Sequence, residues 1–342
     1  VSTSALARHL GLSRWTISRV LNGHPEVKPE TSRRVREAMD ELGFVPSLLG
    51  RALRGSSTGM IGVCFQAIGL PIISRKIATL QRVLREAGFR ALQEVTDGNP
   101  DLELTVVKHF LAMRVDGLVL VGGIGERHSS RILGLIEQHR VPVVMIDPME
   151  PFDLPTVELD REEGIRVVFR HLFDLGHRRF ATLGIHPSVP WGKVRCDALR
   201  RVVVESGLSV ADDLVDLNDA AAAELNFAYG KQLAARYLEL SGRPTAILAI
   251  NDQVAIGAML HLQEAGLSIP GDVSIVGFDN LDVSSHIRPT LTSIDQHIEE
   301  IMESGVSTLV GQRERAEPLR RGGVVRIAPQ LISRESSGPP PL

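Results

Sequence analysis

The chain is expected to fold as a small all-α head, a short linker and a larger α/β body of two lobes, each a parallel sheet flanked by helices. Three observations lead there. The first 58 residues carry helical periodicity and a basic balance, nine Lys/Arg against five Asp/Glu. The remaining residues carry 29 against 36, so a basic head sits on an acidic body and the net charge of −3 hides the split. From Met60 onward, short β runs alternate with amphipathic helices. With 342 residues there is length for two or three compact units.

In the head, Leu6 and Leu10 share a helical face and Ser2 is available as its cap. Gly11-Leu12-Ser13 reads as a tight turn, with Ser13 placed to accept from a free N–H of the next helix. That helix runs from Arg14 to Leu21, with Ile17, Val20 and Leu21 inward and Arg14, Trp15, Ser18 and Arg19 outward. Asn22-Gly23 ends it, and a third helix starts near Pro29 with Val35, Ala38, Met39 and Leu42 as its stripe. Two short helices around a Gly-containing turn, backed by a third, form a helix-turn-helix. A generic three-helix bundle is the plainer alternative. The outward face of the second helix argues against it: hydroxyls, two arginines and an aromatic, with no acid from Ala5 through Pro25. Phosphates exclude acids from such a face, and base edges take Arg, Ser/Thr and methyl-contacting groups. Three short helices have no core wide enough for Trp15, so it is expected to be exposed at the start of a recognition helix.

Other classes leave little trace. No apolar run approaches the ~18 residues a membrane span needs. The stretch VSTSALARHL lacks the layout of a secretory signal, which reads as a soluble protein of the cytoplasm. Cys64 and Cys196 have neither disulfide nor metal spacing, so no metal or cofactor is expected. GGIGERH, 122–128, follows a strand but lacks the third glycine of a dinucleotide fingerprint. No nucleophile elbow or P-loop occurs, and His177 reads as a structural histidine.

In the body the strand candidates are IGVCF, RALQEV, GLVLV, PVVMI, RFATLGI, TAILAI and VSIVGF. Helices near 74–87, 101–113, 161–175, 192–206, 226–241 and 252–265 separate them. Such lobes place a ligand cleft at the carboxyl ends of their strands. Polar residues collect at those ends: Asp160, Asn251-Asp252 and Asp279, with Trp191 and Arg195 one turn apart on one helix face. Carboxylates accepting hydroxyls, a guanidinium fork and an aromatic plane are what a polyol requires. Asp252 is expected only to cap its helix.

The stretch SRWTISRVLNGHPEVKPETSRRVREAMDELGFVPSLLGRALRGSSTGMIGV resembles the head and linker of the lactose/galactose-repressor family of bacterial transcription regulators, and the likeness continues to the C-terminus. The resemblance implies double-stranded operator DNA as partner, with Arg14, Trp15 and Arg19 reading bases and Ser2, Ser13, Thr16, Ser18, Asn22 and Thr31 gripping phosphates. It implies that the linker, by itself a candidate flexible tether, is a hinge helix that orders on DNA. Leu53 would then be the wedge in the minor groove, with Arg51 and Arg54 on phosphates. It implies a body of periplasmic-binding-protein architecture, with Arg195 and Asp279 as effector contacts and Asp160, Asn251 and Leu225 lining the same pocket. Pro71 and Ile72 stand where the family often has Asn-Pro-aromatic, Arg161 stands for a usual asparagine, and Trp191 would replace the missing aromatic. The effector would be a neutral sugar or sugar derivative, with a purine as the alternative, and the extra arginine would also suit an acidic sugar. The expected domains are 1–46 (head), 47–58 (hinge and linker) and 59–342 (effector binding and dimerisation). Lobe one is expected at about 59–156 plus 288–318, and lobe two at about 157–287 plus 319–335. The expected assembly is a homodimer without a tetramerising heptad, responding to effector by allostery. A sugar-binding protein with no DNA role, and an enzyme on the same scaffold, are the competing classes.

Overall fold

The computed structural model describes residues 2–21, 24–45, 57–66, 68–189, 191–219, 224–315 and 322–341. Asn22, Arg51, Leu53 and Arg54, and with them the expected hinge helix, lie outside the described residues. The chain divides into two units, Val1–Gly59 and Met60–Leu342.

The described residues of the first unit form three helices: α1 (Thr3–Leu10), α2 (Arg14–Leu21) and α3 (Pro29–Glu41). Ser2 caps α1 by accepting from the Ala5 N–H at 3.2 Å. Gly11 closes α1 at φ +66°, a left-handed geometry that costs glycine little. Ser13 caps α2, accepting from the Thr16 N–H at 3.0 Å. Lys28 precedes α3 without a side-chain cap, and Pro29 supplies the helical φ instead. Leu6, Ala7, Ile17, Val20, Val35, Ala38 and Phe44 make the core. Met39 and Leu42 are only partly buried, and Phe44, after α3, completes what they leave open.

The second unit begins with β1 (Met60–Phe65), α4 (Pro71–Glu86), β2 (Arg90–Val95), α5 (Pro100–Ala112), β3 (Gly117–Val121), α6 (Ser129–His139), β4 (Val143–Ile146) and β5 (Thr156–Leu159). It continues with α7 (Arg161–Asp174), β6 (Phe180–Leu183), α8 (Gly192–Glu205), α9 (Val210–Asp213), β7 (Leu214–Leu217), α10 (Phe227–Leu238), β8 (Ala246–Ala249), α11 (Asp252–Glu264) and β9 (Ser274–Phe278). The last elements are β10 (Thr292–Asp295), α12 (Ile298–Arg315), β11 (Val324–Ile327) and β12 (Gln330–Ile332). One sheet has the order β11-β5-β4-β3-β1-β2 and the other β12-β10-β9-β8-β6-β7. All pairings are parallel except that of β12 with β10. Strands β3, β4, β8 and β9 are buried along their whole length, as parallel strands covered on both faces must be.

The returning segments depart from the expected lobe boundaries. Strand β5 belongs to the first sheet, β10 to the second and β11 to the first. Helix α12 packs on α4, β3, β4 and β5. The chain therefore crosses between lobes after β5, after β10 and again between β11 and β12. The physical reason is edge pairing: β11 finds its partner in β5 and β12 in β10, neither of which is its neighbour in sequence. Among the described residues, no helix is long and apolar enough to cross a membrane.

Candidate functional site

On the head, α2 turns Arg14 and Trp15 fully outward, and the indole is 66% exposed. Thr16, Ser18, Arg19 and Thr31 are half-buried around it. The guanidinium of Arg19 lies 4.4 Å from the centre of the Trp15 ring. Arg19 also pairs with Glu26 and bonds His24 Nδ1 at 2.7 Å. The hydrogen bond and charge of Arg19 hold the Glu26 carboxyl below its ordinary range. The acid-free run thus ends one residue before a carboxylate that folds back on Arg19, and the bonds to Glu26 and His24 both use Arg19 Nη2. Ser2 and Ser13 each spend an acceptor lone pair on a cap, and Ser13 Oγ shares a further hydrogen bond with Thr16 Oγ1 at 2.9 Å.

In the second unit, the carboxyl ends of both sheets and the starts of α4, α7 and α8 converge between the lobes. An inner cavity of about 30 Å³, room for a water or two, is lined by Leu70, Ile72, Lys76, Arg161, Trp191, Arg195, Leu225, Asn251, Asp279 and Gln296, among others. It shares Leu70, Ile73, Lys76, Trp191 and Leu225 with a wider chamber of about 560 Å³. Of the expected effector residues, Ile72, Trp191, Arg195, Leu225, Asn251 and Asp279 are brought together here. Two are not. Pro71 is exposed at the first turn of α4, outside the lining of both cavities. Asp160 caps α7, accepting from the Glu163 N–H at 2.9 Å, and faces an outer groove with Glu158 and Arg326 instead.

Three residues of the site were not anticipated, and a fourth was noted only as a departure. Asp147, just past β4, is wholly buried. It accepts from the buried Lys76 and from the Leu159 N–H at 2.9 Å, and forms an ion pair with Arg161 Nη1 at 3.0 Å. Burial alone would raise its pKa, but Arg161 and Lys76 outweigh it and hold the carboxyl well below the usual range. Gln296, just past β10, donates to Asp279 Oδ1 at 2.5 Å. The strand-end rule that found Asp279 applies equally to Asp147 and Gln296. Lys76 had no such signal, since it looks like any cation on a helix.

Trp191 adopts a left-handed φ of +55° and starts α8. Gly192 follows because an added Cβ would lie 1.8 Å from the His186 carbonyl oxygen. The indole N–H donates to the carbonyls of Asp147 and Pro148, each at 3.2 Å, and the Arg161 guanidinium covers the ring at 4.6 Å. Trp191 therefore ties the lobes together as well as lining the cavity. Arg195 donates to the Ile250 carbonyl at 2.6 Å and lies over Phe278 at 3.9 Å. Burial first, and then Arg161, brings its pKa down to about 10, so it stays charged at neutral pH. Asp279 is pushed up to about 7 by burial and by Asp252, against Arg195, Lys76 and Gln296. Asp252 stays out of the cavity: it accepts from Ser284, Ser293 and the Leu281 N–H. His177 is buried among Thr245, Ser274 and the Gly338 carbonyl, a structural tie to the C-terminal segment. Among the described residues no cluster of His, Cys, Asp or Glu could hold a metal ion.

Residues 5–47 match the family model described as bacterial regulatory proteins, lacI family, and residues 169–337 match the periplasmic binding protein-like domain. Catabolite control protein A of Priestia megaterium is 29% identical over 299 residues, covering 86% of this chain and 87% of that protein. The HTH-type transcriptional regulator DegA of Bacillus subtilis is 28% identical over 337 residues, 98% of this chain and 97% of that protein. The crystal structure of the lac repressor dimer bound to operator and the anti-inducer ONPF superposes with a TM-score of 0.84 at 25% identity, over 99% of both chains.

Proposed function

The chain belongs to the lacI family of bacterial regulatory proteins, and from that premise we propose that it is an effector-responsive, homodimeric repressor whose head reads an operator while a small polyhydroxylated ligand occupies the interlobe cavity. One observation carries the ligand reading. Arg195, Asn251, Asp279 and Gln296 are all buried and all line one cavity between two lobes. A ligand there touches both lobes at once, so its binding energy depends on their relative position. That is the differential affinity an allosteric effector needs. For the head, the exposed face of Arg14 and Trp15 supports direct base contact.

Two measurements test the reading. Operators selected from randomised duplex DNA should be bound in preference to random sequence. Trp15→Ala should lower that preference by roughly 1–3 kcal/mol, the worth of one base contact. Equal loss on selected and random DNA would remove Trp15 from the reading surface. For the cavity, a thermal-shift panel of sugars, sugar derivatives and nucleosides supplies the ligand. Arg195→Ala should then keep operator affinity and lose the ligand-induced change in it.

A further inference from the structure

The charges around the inner cavity do not balance in pairs. Lys76, Arg161 and Arg195 line it at 2%, 6% and 5% exposure, while two buried carboxylates, Asp147 and Asp279, stand nearby. Asp147 already pairs with both Lys76 and Arg161. Asp279 accepts from Gln296. Arg195 has no ion pair among the described residues; its one hydrogen bond there goes to the Ile250 carbonyl. Its Nε is buried without a hydrogen-bond partner, as is the Nε of Arg161 and the Oε1 of Gln296.

A neutral ligand could satisfy those hydrogen bonds and still leave Arg195 without a salt bridge in a buried site, with Asp279 and Asp147 acting on its charge without pairing with it. An anionic group satisfies both at once, and a guanidinium binds it with directed, charge-assisted bonds. The rest of the lining asks for donors: Asp279 and the Gln296 Oε1 both accept, which suits hydroxyls. We propose that the ligand is a polyhydroxylated molecule bearing one anionic group, a sugar acid or a sugar phosphate, with the anion against Arg195 and flanked by Arg161 and Lys76. The proposal rests on the cavity being the effector site. Asp279, raised to about 7 by burial and Asp252, is in part protonated at neutral pH, which increases the positive excess around the cavity.

The test is calorimetric titration of the full chain at pH 7 with matched pairs. These are D-glucuronate and D-glucose, D-galacturonate and D-galactose, D-gluconate and D-glucitol, and D-glucose 6-phosphate and D-glucose, with adenosine and guanosine alongside. In at least one pair the anion should bind tenfold or more tighter than its neutral counterpart, and the carboxylate and phosphate arms say which group the site takes. Arg161→Asn should shrink that ratio at least fivefold, whatever it does to the neutral member's own affinity. Binding of a neutral sugar or a nucleoside, with no anion binding tighter than its partner, overturns the proposal and leaves the cavity as effector site. Silence across the whole panel overturns the polyol reading together with it.

Discussion

The first lobe meets the cavity with Leu70, Ile72 and Ile73 and one cation, Lys76. The second meets it with Arg161, Trp191, Arg195, Asn251, Asp279 and Gln296, and with only Leu225 and Ile250 as aliphatic side chains. The difference follows from what each lobe presents. The first offers the buried stripe of α4, where apolar residues recur at helical spacing. The second offers strand ends and helix starts, where side chains point past the sheet edge and backbone groups are unpaired. Bonds across the divide also differ in kind. Asp147 of the first lobe holds Arg161 of the second, and Trp191 reaches back to the Asp147 carbonyl. Arg75 on α4 donates to the Asp279 and Asn280 carbonyls at 3.2 and 3.0 Å. On the proposed reading the second lobe would discriminate among ligands, while the first covers the cavity and fastens the lobes together.

The comparison breaks most sharply at Asp147. Asp147→Ala leaves Lys76 and Arg161 buried without their carboxylate, which should cost roughly 3–5 kcal/mol. The urea midpoint should fall accordingly, although Asp147 lies behind the inner cavity and not in its lining. A shift below 1 kcal/mol would mean that the two cations find water or another partner, and that the first lobe is not fastened here.

Gly192→Ala strikes the second lobe. The methyl would enter the space of the His186 carbonyl and of Val189, at 1.8 and 2.6 Å. Overpacking against backbone costs about 1–3 kcal/mol, and relief by shifting the start of α8 would pull Trp191 off Asp147. A change in Trp191 fluorescence with loss of ligand binding is expected. Unchanged fluorescence and affinity would show that the α8 start is tolerant.

Asp279→Asn sharpens the comparison with an effect smaller than that of Asp147→Ala. Burial raises this carboxyl from its ordinary 3.8 to about 7, so the stability it contributes is full below pH 4 and is lost as pH rises through 7. Asparagine cannot ionise and can still accept from Gln296. Between pH 5 and 8 the variant should therefore lose less stability than the parent, by roughly 2–3 kcal/mol. Asp252, raised to about 6 by burial, keeps its own slope of the same sign in both proteins. Parallel curves would mean that Asp279 titrates in the ordinary range.

Legibility in the sequence tracked the range of the interaction. The caps at Ser2 and Ser13, the turn at Gly11 and the seven listed strands depend on neighbours within a few residues, and the structure has each of them. Strands β5 and β7 and helices α6 and α12 passed unlisted as single elements, the strands being four residues each. Asp279 was visible because a polar residue at the end of a buried strand has a short menu of uses, and Arg195 because it shares a helix face with Trp191. Asp160 shared that signal and spends its carboxylate on its own helix, a choice made by three residues of local backbone.

What the sequence determined by itself is the head with its capped helices, the outward Trp15, the alternation that makes two parallel sheets, and the polar character of the second lobe's strand ends. Each is a local preference repeated until it outweighs its alternatives. Tertiary structure alone decided which sheet receives β10 and β11, that Glu26 folds back on Arg19, and that Lys76 meets Asp147 across 71 residues. It also decided that Arg195 is left without a carboxylate of its own. Charge pairing in a dry interior is settled by distances of a few ångströms between elements far apart in the chain, and residue order carries no measure of those distances.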